Sequence, residues 1–387
     1  MKRMEIRPAW VFSNEAGEQV DHRLFDLLHA VHESGKLTMA AQRVAMSYRH
    51  AWNIIARWSA FFGADLVVLE QGRGAQLSPL GEKLIWAEAR ARARLLPQLE
   101  NIASELNLEI SRALAEHSPT LRIHASYGYA VAQLPELLRR HTRIGLDLQY
   151  LSAADALASL ARGACDIAGF HVPEGERGAR AVAEYRSWLS PATQTLIYLV
   201  HRQQGIFVKP DNPKRIESIA ALTRADVRFI NRQRGSGTRL LLETLLEEQG
   251  LDPRAINGWP NEEYTHAAVA AYVASGMADA GFGVQAAARD FHLDFVPVAS
   301  ERYFLLARRE TLAYPSVQEL LRLLRGPEFD ELTRSLPGYR ADRAGEIMEL
   351  SQVLPGLGER VGVRASEPQA AARRARRRPK GTERAQR

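Results

Sequence analysis

A polar turn flanked by glycines in the second half of the chain has the residue types that bind small anions. The stretch FINRQRGSGTRLLLETLL reads as a strand, a turn and a helix. Backbone N–H groups at a helix N-terminus carry partial positive charge, so this turn can form an anion cradle, although an ordinary capped helix start is the alternative. The candidate ligand-binding residues are Arg234, Gly235, Ser236, Gly237, Thr238 and Arg239.

Three further polar clusters follow predicted strands. One holds Ser126 and Tyr127 after LRIHA, the second is His171 at the end of DIAGF, and the third is a helix start with Tyr264, Thr265 and His266. Ligands of open α/β sheets bind at the carboxyl ends of the strands, which is where all four clusters fall. We therefore expect the four clusters to share one cleft.

A second candidate site lies near the N-terminus, on a predicted helix that can enter the major groove of DNA. Between Ser34 and Ala64 there are four Lys or Arg and no acidic residue. Apolar residues recur at helical spacing from Ala51 to Trp58, and this turns the polar side chains outward. Arginine reads guanine and asparagine reads adenine. The candidate DNA contacts are Ser47, Tyr48, Arg49, His50, Asn53 and Arg57, whereas Trp52 is expected in the core.

The elements that position these DNA contacts are three short helices and a hairpin. The first helix ends at Ser34 and Gly35, the second begins after Thr38 as its cap, and the third starts at Ser47. Two short apolar runs around Arg73 predict a wing, with Arg73 at its tip on the DNA backbone or in the minor groove. We therefore predict a winged helix-turn-helix domain at residues 1–78.

Residues 79–117 are mostly helix-forming, with leucine and isoleucine at near-heptad intervals that Pro97 interrupts. This segment is expected to be a linker helix that pairs with a copy of itself. From residue 118 to 345 the pattern alternates short apolar strands with helices, which predicts an α/β domain. TLIYLVHR is well placed to cross between two lobes, one at residues 119–199 and 300–343 and the other at 200–299.

Composition and charge limit the function classes. The formal charge is +6, but residues 364–387 hold nine Lys or Arg against two acidic residues, which leaves −1 for the rest. This Arg-rich tail is predicted to be disordered, with nonspecific adhesion to DNA as the alternative. No apolar run is long enough for a membrane span and no signal peptide is seen, so a cytoplasmic protein is expected. The single cysteine, Cys165, lies in an apolar stretch typical of a buried structural thiol.

The N-terminal residues resemble a known family. GKLTMAAQRVAMSYRHAWNIIARW followed by VVLEQGRGAQLSPLGEKLI is similar to the winged helix of the ModE and LysR regulators, over about Leu24 to Leu95. SYRHAW favours the ModE branch. The resemblance implies a homodimer, or a higher homo-oligomer, formed through the long helix and reading a palindromic operator in double-stranded DNA.

The C-terminal residues carry a second resemblance. AGFH, HRQQGIFVKPDNP, FINRQRGSGTRLLLE and EEYTHAAVAAYVASGMADAGFG are similar to the periplasmic-binding-protein-like domain found fused to ModE-type winged helices and to molybdopterin-biosynthesis proteins. The implied fold is a type II two-lobed domain that closes around a small ligand. The implied ligand is an oxyanion such as molybdate or tungstate, or a compound linked to molybdenum-cofactor enzymes.

Two departures from these families bear on the ligand. After the first strand the family has a Gly-Ser-His-Asp-like turn, where this chain has Ala125, Ser126, Tyr127 and Gly128. The chain also lacks the oligomer-binding fold with Ser-Ala-Arg-Asn that ModE uses for molybdate. The ligand specificity of ModE therefore does not transfer to this chain.

Together these features predict a one-component transcription regulator whose operator binding responds to a small anion. One alternative is an enzyme acting on a molybdopterin-like substrate, but GxSxG, HExxH and P-loop motifs are absent from the sequence. The other alternative is a DNA-architectural protein with a non-functional cleft. No catalytic residue, metal site or cofactor is expected.

Overall fold

The computed structural model describes residues 4–10, 12, 13, 17, 23–70, 74–113, 119–354 and 357. The helices are α1 (Arg23–Ser34), α2 (Leu37–Arg43), α3 (Tyr48–Phe62), α4 (Pro79–Ala113), α5 (Leu134–His141), α6 (Ala153–Ala161), α7 (Arg177–Tyr185), α8 (Gly237–Glu248), α9 (His266–Ala274), α10 (Gln285–Asp290), α11 (Pro315–Leu324), α12 (Pro327–Arg334) and α13 (Leu350–Val353). The strands are β1 (Val67–Glu70), β2 (Gly74–Leu77), β3 (Thr120–Ala125), β4 (Gly145–Tyr150), β5 (Ile167–Pro173), β6 (Gln194–Val208), β7 (Phe229–Arg232), β8 (Glu262–Glu263), β9 (Ala280–Val284), β10 (Asp294–Arg308), β11 (Tyr339–Arg340) and β12 (Ile347–Met348).

Helices α1 to α3 and the antiparallel pair β1 and β2 form the predicted winged helix-turn-helix fold. Their buried residues share one hydrophobic cluster that includes Leu24, Leu28 and Trp58. The hydroxyl of Ser47 caps α3 by accepting from the N–H of His50 at 3.2 Å. The predicted cap of α2 is wrong, because this helix begins at Leu37 and Thr38 lies inside its first turn.

Helix α4 runs for 35 residues without a break, so the interruption expected at Pro97 is wrong. Proline has no N–H and leaves the carbonyl four residues earlier, that of Ala93, without its helical donor. The hydroxyl of Thr265 donates to this carbonyl at 3.0 Å. A side chain 172 positions away thus replaces the missing helical hydrogen bond.

The C-terminal α/β domain is built on one mixed sheet with the strand order β4, β3, β5, β10, β6, β9, β7, β8. Strands β6 and β10 have 15 residues each and pair antiparallel along almost their whole lengths. The two ends of this strand pair belong to different lobes. At one end β10 pairs with β5, and at the opposite end β6 pairs with β9. The predicted lobe boundaries at residues 199 and 300 fall inside these two strands.

The largest hydrophobic cluster of the domain extends through both lobes along the sheet, and each lobe has a smaller cluster of its own. The lobes also touch through α7 and α8, where Arg177 pairs with Glu248 at 2.8 Å and Arg180 pairs with Glu247. These ion pairs connect α7 of one lobe to α8 of the other. Within the described ranges, no helix combines the length and apolar character needed to cross a membrane.

Candidate functional sites

The first site is the exposed surface of α3, which we call the reading face: Tyr48, Arg49, His50, Trp52, Asn53 and Arg57. Its inward positions Ala51, Ile54, Ile55 and Trp58 are buried, and this fixes which side chains point outward. Trp52 was expected in the core, but 44% of it is exposed. The reason is that Trp52 lies between the buried positions of the helical repeat. Arg73 at the wing tip lies outside the described residues.

The second site lies between the lobes, where strands from both lobes end. Ser126 follows β3, His171 lies near the end of β5, and His266 begins α9 directly after the β8 segment. Ser126 Oγ lies 3.3 Å from His171 Nδ1. His171 is close enough to His266 for a charge on its ring to lower the pKa of His266. The structure therefore brings these three predicted residues into one region.

Other predicted ligand residues make contacts elsewhere. The ring of Tyr127 packs on Tyr150, with centroids 5.0 Å apart. Tyr264 is 54% exposed, and Arg94 of α4 lies over its ring. Arg234 is exposed, whereas the guanidinium of Arg239 pairs with two carboxylates and lies over a tryptophan ring; these partners are Glu243, Glu262 and Trp259.

The polar turn before α8 is a helix start, as its sequence predicts. The hydroxyl of Ser236 accepts from the N–H of Arg239 at 3.3 Å, and Gly235 has a positive φ of 78° that favours glycine. The hydroxyl of Thr238 accepts from the amide of Gln204 at 3.3 Å. The N–H groups of Gly237 and Thr238 belong to the first helical turn, where intrahelical acceptors are lacking.

The same region holds a group of buried polar residues that we call the cleft cluster: His171, Arg202, Gln204, Arg232, His266 and Glu301. Four of these were not singled out from the sequence. Arg202 and Glu301 are directly opposite in the pairing of β6 and β10, and Arg202 Nη2 lies 2.8 Å from Glu301 Oε2. Gln204 Nε2 donates to the same carboxylate oxygen at 2.7 Å. This ion pair is completely buried.

Arg232, the last residue of β7, is the one buried arginine of this cluster without a carboxylate partner among the described residues. Only 8% of it is exposed, and its guanidinium donates to the side-chain oxygen of Gln233 and the carbonyl of Tyr264. Burial and the nearby Arg202 lower the pKa of Arg232 to about 9. The residue still carries its charge at neutral pH, but that charge is poorly compensated.

The two histidines of the cluster are neutral at pH 7. Burial lowers the pKa of His171 to about 4 despite the nearby Glu301 carboxylate. Burial, together with Arg232 and Arg202, lowers the pKa of His266 well below its ordinary value. The cluster therefore has two arginine charges against one carboxylate, a net positive charge inside the protein.

Close contact between the lobes occurs where His171 meets Gly237. A Cβ atom placed on Gly237 would lie 2.2 Å from His171 Nε2. Glycine is therefore required at this first position of α8 for the lobes to close as they do. The electropositive start of α8 and the cleft cluster form a single region.

A sequence signal for the missed residues exists. Arg202, Gln204 and Glu301 are polar residues inside the two long strands β6 and β10, and Arg232 ends a strand whose other residues are all buried. A charged residue in such a position is almost never buried without a partner. Such positions mark these residues as candidates, but the pairing of Arg202 with Glu301 depends on the register of β6 and β10, which only the fold shows.

Two protein-family models match the chain. Residues 22–82 match the model described as bacterial regulatory helix-turn-helix protein, lysR family. Residues 135–325 match the PBP superfamily domain. The finer assignment of the winged helix to the ModE branch stays a prediction.

Three curated relatives match parts of the chain. The uncharacterized protein YvgK of Bacillus subtilis is 32% identical over 201 residues, which are 52% of this chain and 64% of that protein. An uncharacterized protein of Clostridium pasteurianum, from the 5′ region of a 2Fe-2S ferredoxin gene, is 31% identical over 28% of this chain and 97% of its own length. The molybdenum-pterin-binding protein MopB of Rhodobacter capsulatus is 33% identical over 23% of this chain and 34% of its own length.

Among solved structures, a C206 mutant of Corynebacterium glutamicum OxyR is 14% identical and gives a TM-score of 0.41, covering 82% of this chain and 94% of that one. The two matched domains contain the reading face and the cleft cluster, respectively. The chain therefore carries a helix-turn-helix domain of the lysR family at residues 22–82, fused to a PBP superfamily domain at residues 135–325.

Proposed function

We propose that this regulator changes its affinity for operator DNA when a small anion binds in the cleft between the two lobes. The observation that carries the proposal is Arg232, which is buried, charged and without a carboxylate partner in the described part of the chain. A buried charge of this kind is costly unless a counter-charge arrives. An anionic ligand supplies that counter-charge.

The elements around Arg232 suit an anion in other respects. The N–H groups at the start of α8 add partial positive charge, and Ser126 and Thr238 bring hydroxyl groups into the region. The two neutral histidines provide further polar atoms without adding a negative charge. Arg234 and Arg239, the arginines expected from the sequence, are not needed in this arrangement.

Molybdate and tungstate are the oxyanions to test first, because of the resemblance of the C-terminal half to molybdenum-associated domains and the partial match to MopB. DNA binding through the reading face is expected to involve a homodimer. Leu95 and Ile102 of α4 lie seven residues apart and are 38% and 47% exposed, so they can contact a second copy of this helix.

The decisive variant is Arg232→Gln, with Arg234→Gln as the matched control. Both changes remove one positive charge from the same turn, but only Arg232 is buried. Calorimetry against molybdate, tungstate, sulfate and phosphate should show a loss of about 1.5 to 3 kcal/mol of binding free energy in Arg232→Gln for every anion that binds. The control should bind within about 0.5 kcal/mol of the unmodified protein.

Thermal unfolding without ligand distinguishes a ligand-binding arginine from a structural one. Removing an uncompensated buried charge should leave the melting temperature of Arg232→Gln unchanged or higher, whereas breaking a structural ion pair would lower it. Unchanged anion binding in Arg232→Gln, or a gel shift of operator DNA that no anion alters, would contradict the proposed function.

A further inference from the structure

Three buried acceptor atoms of the cleft cluster lack a hydrogen-bond donor among the described residues. They are His171 Nε2, Gln204 Oε1 and Glu301 Oε1, and the cluster also holds two nitrogen atoms without a hydrogen-bond partner, His266 Nδ1 and Arg202 Nη2. The three acceptor residues are no more than 6% exposed, and His171 Nε2 lies 4.0 Å from Glu301 Oε1. Buried polar atoms are almost always paired in folded proteins, so three in one region point to a partner of complementary chemistry.

The protonation of His171 follows from a chain of hydrogen bonds. Tyr303 donates its hydroxyl proton to the carbonyl of Ser126 at 2.8 Å. The hydroxyl of Ser126 lies 3.0 Å from the Tyr303 oxygen, and each of these close contacts contains a proton if this hydroxyl donates to that oxygen. Its own lone pair is then left for Nδ1–H of His171 at 3.3 Å. Because the ring is neutral, Nε2 carries no proton and is an acceptor.

The neighbours of Glu301 Oε1 and Gln204 Oε1 show that these two atoms are also acceptors. Glu301 Oε2 accepts hydrogen bonds from Nε of Arg202 and Nε2 of Gln204, with Arg202 Nη2 2.8 Å away as an ion-pair contact, whereas Oε1 accepts none among the described residues. The amide nitrogen of Gln204 must face this carboxylate, and it also donates to Thr238. The amide oxygen therefore points the other way, as an acceptor.

We infer that the ligand of the cleft is an anion that also carries an O–H or N–H group, which it donates to Glu301 Oε1 and His171 Nε2. This inference rests on the proposed function, because the anionic part is the group held by Arg232 and the start of α8. A protonated phosphate, a hydroxy acid or an acid with a ring N–H has both properties. A fully ionised oxyanion such as molybdate has only acceptors.

The reason for this selectivity is the cost of leaving acceptors unpaired. A bare oxyanion would bring further acceptor oxygens against a carboxylate oxygen and two other acceptors, with no proton between them. A site whose acceptors pair with a donor of the ligand discriminates strongly against an analogue without that donor. A site that distinguishes ligands only by their size discriminates far less. The donor group therefore determines which anion binds.

The test compares phosphate with sulfate on the full-length protein by calorimetry at pH 7 and equal ionic strength. The two anions are both tetrahedral, but the forms of phosphate present at this pH carry an O–H and sulfate carries none. Phosphate should bind about tenfold or more tightly than sulfate, and molybdate should behave like sulfate. If a water molecule donated to these acceptors in place of the ligand, phosphate and sulfate would bind with equal affinity.

Glu301→Gln checks that the carboxylate oxygen produces the preference. The position of Oε2 accepts two hydrogen bonds and must remain oxygen, so the new amide nitrogen takes the position of Oε1 and faces His171 Nε2. The chain then supplies its own donor there, and the phosphate-to-sulfate ratio should fall toward one. The comparison on the unmodified protein stands even if this variant does not fold.

The outcomes separate this inference from the proposed function. Equal binding of phosphate and sulfate, with both weakened in Arg232→Gln, overturns the donor requirement and leaves the anion site in place. Binding that Arg232→Gln does not change, or no saturable binding of either anion, overturns both. A phosphate preference that depends on Arg232 and disappears in Glu301→Gln supports both.

Discussion

The reading face of α3 and the cleft cluster are built in opposite ways. The reading face consists of neighbours on one exposed helix, between residues 48 and 57. The cleft cluster joins β5, β6, β7, α9 and β10, so that His171 and Glu301 meet although they are 130 positions apart in the chain. A surface of the first kind can be derived from local periodicity, whereas a site of the second kind exists only after the sheet has formed.

The largest expected effect concerns the reading face. In the double variant Arg49→Ala with Asn53→Ala, operator binding should weaken by about 2 to 6 kcal/mol, because each side chain can make a specific base contact worth about 1 to 3 kcal/mol. A quantitative gel shift measures this loss. Arg92→Ala, which removes one charge from the exposed surface of α4, is the control. A similar loss in the control would show that the weaker binding reflects the lost positive charge and not specific base contacts.

Gly237→Ala tests the contact on which closure of the cleft depends. Alanine favours the helix itself, but its Cβ would meet the ring of His171, so closing the lobes should cost about 1 to 3 kcal/mol and anion binding should weaken by that amount. Calorimetry gives the affinity, and solution scattering should show a larger radius of gyration.

Gly145→Ala is the matched control for this closure test, since the new Cβ would come no nearer than 3.3 Å to the Thr120 hydroxyl. Anion binding by Gly145→Ala should equal that of the unmodified protein. If Gly237→Ala binds anions with full affinity, the lobes do not need this contact in the bound state.

The smallest expected effect concerns the contact between α9 and α4, which connects the cleft cluster to the helix that carries the winged helix-turn-helix domain. Thr265 caps α9 and donates to the Ala93 carbonyl of α4, directly beside His266 of the cleft cluster. Thr265→Val should cost about 1 kcal/mol of stability and reduce the change in operator affinity that an anion produces, with anion affinity nearly unchanged.

Ser152→Ala is the matched control for the connection, because Ser152 caps α6 in the same way and no hydrogen bond links it to α4 among the described residues. The control should lose similar stability and keep the full response of operator affinity to the anion. An equal loss of response in both variants would show that the effect is general destabilisation.

The parts of the fold that local patterns specify could be predicted from the sequence. The winged helix and the α/β domain follow from apolar residues at helical and strand spacing and from turn residues between them. The four strand ends with their polar residues were also found in this way. Ser126, His171 and His266 do lie in the region between the lobes.

What could not be predicted depends on partners far away in the chain. Pro97 was expected to interrupt α4, because the donor that replaces its N–H belongs to Thr265. The sequence pattern pointed to Arg234 and Arg239, which flank the glycines of the turn, and did not point to Arg232. Only the folded chain shows that Arg239 already has carboxylate partners and that Arg232 has none among the described residues.

Helix α4 contacts both lobes, so a rotation of one lobe against the other would change its orientation. Its residues Asn101 and Ser104 bind the edge strand β4 of one lobe, while the Ala93 carbonyl and Arg94 are held by Thr265 and Glu263 of the other lobe. From Ala93 to the start of the helix at Pro79 the arm is about 20 Å long, at 1.5 Å per residue. A small rotation of one lobe against the other would tilt this arm and displace the winged helix at its end. In a dimer, the distance between two recognition helices would change, and with it the spacing of DNA half-sites that the pair can bind.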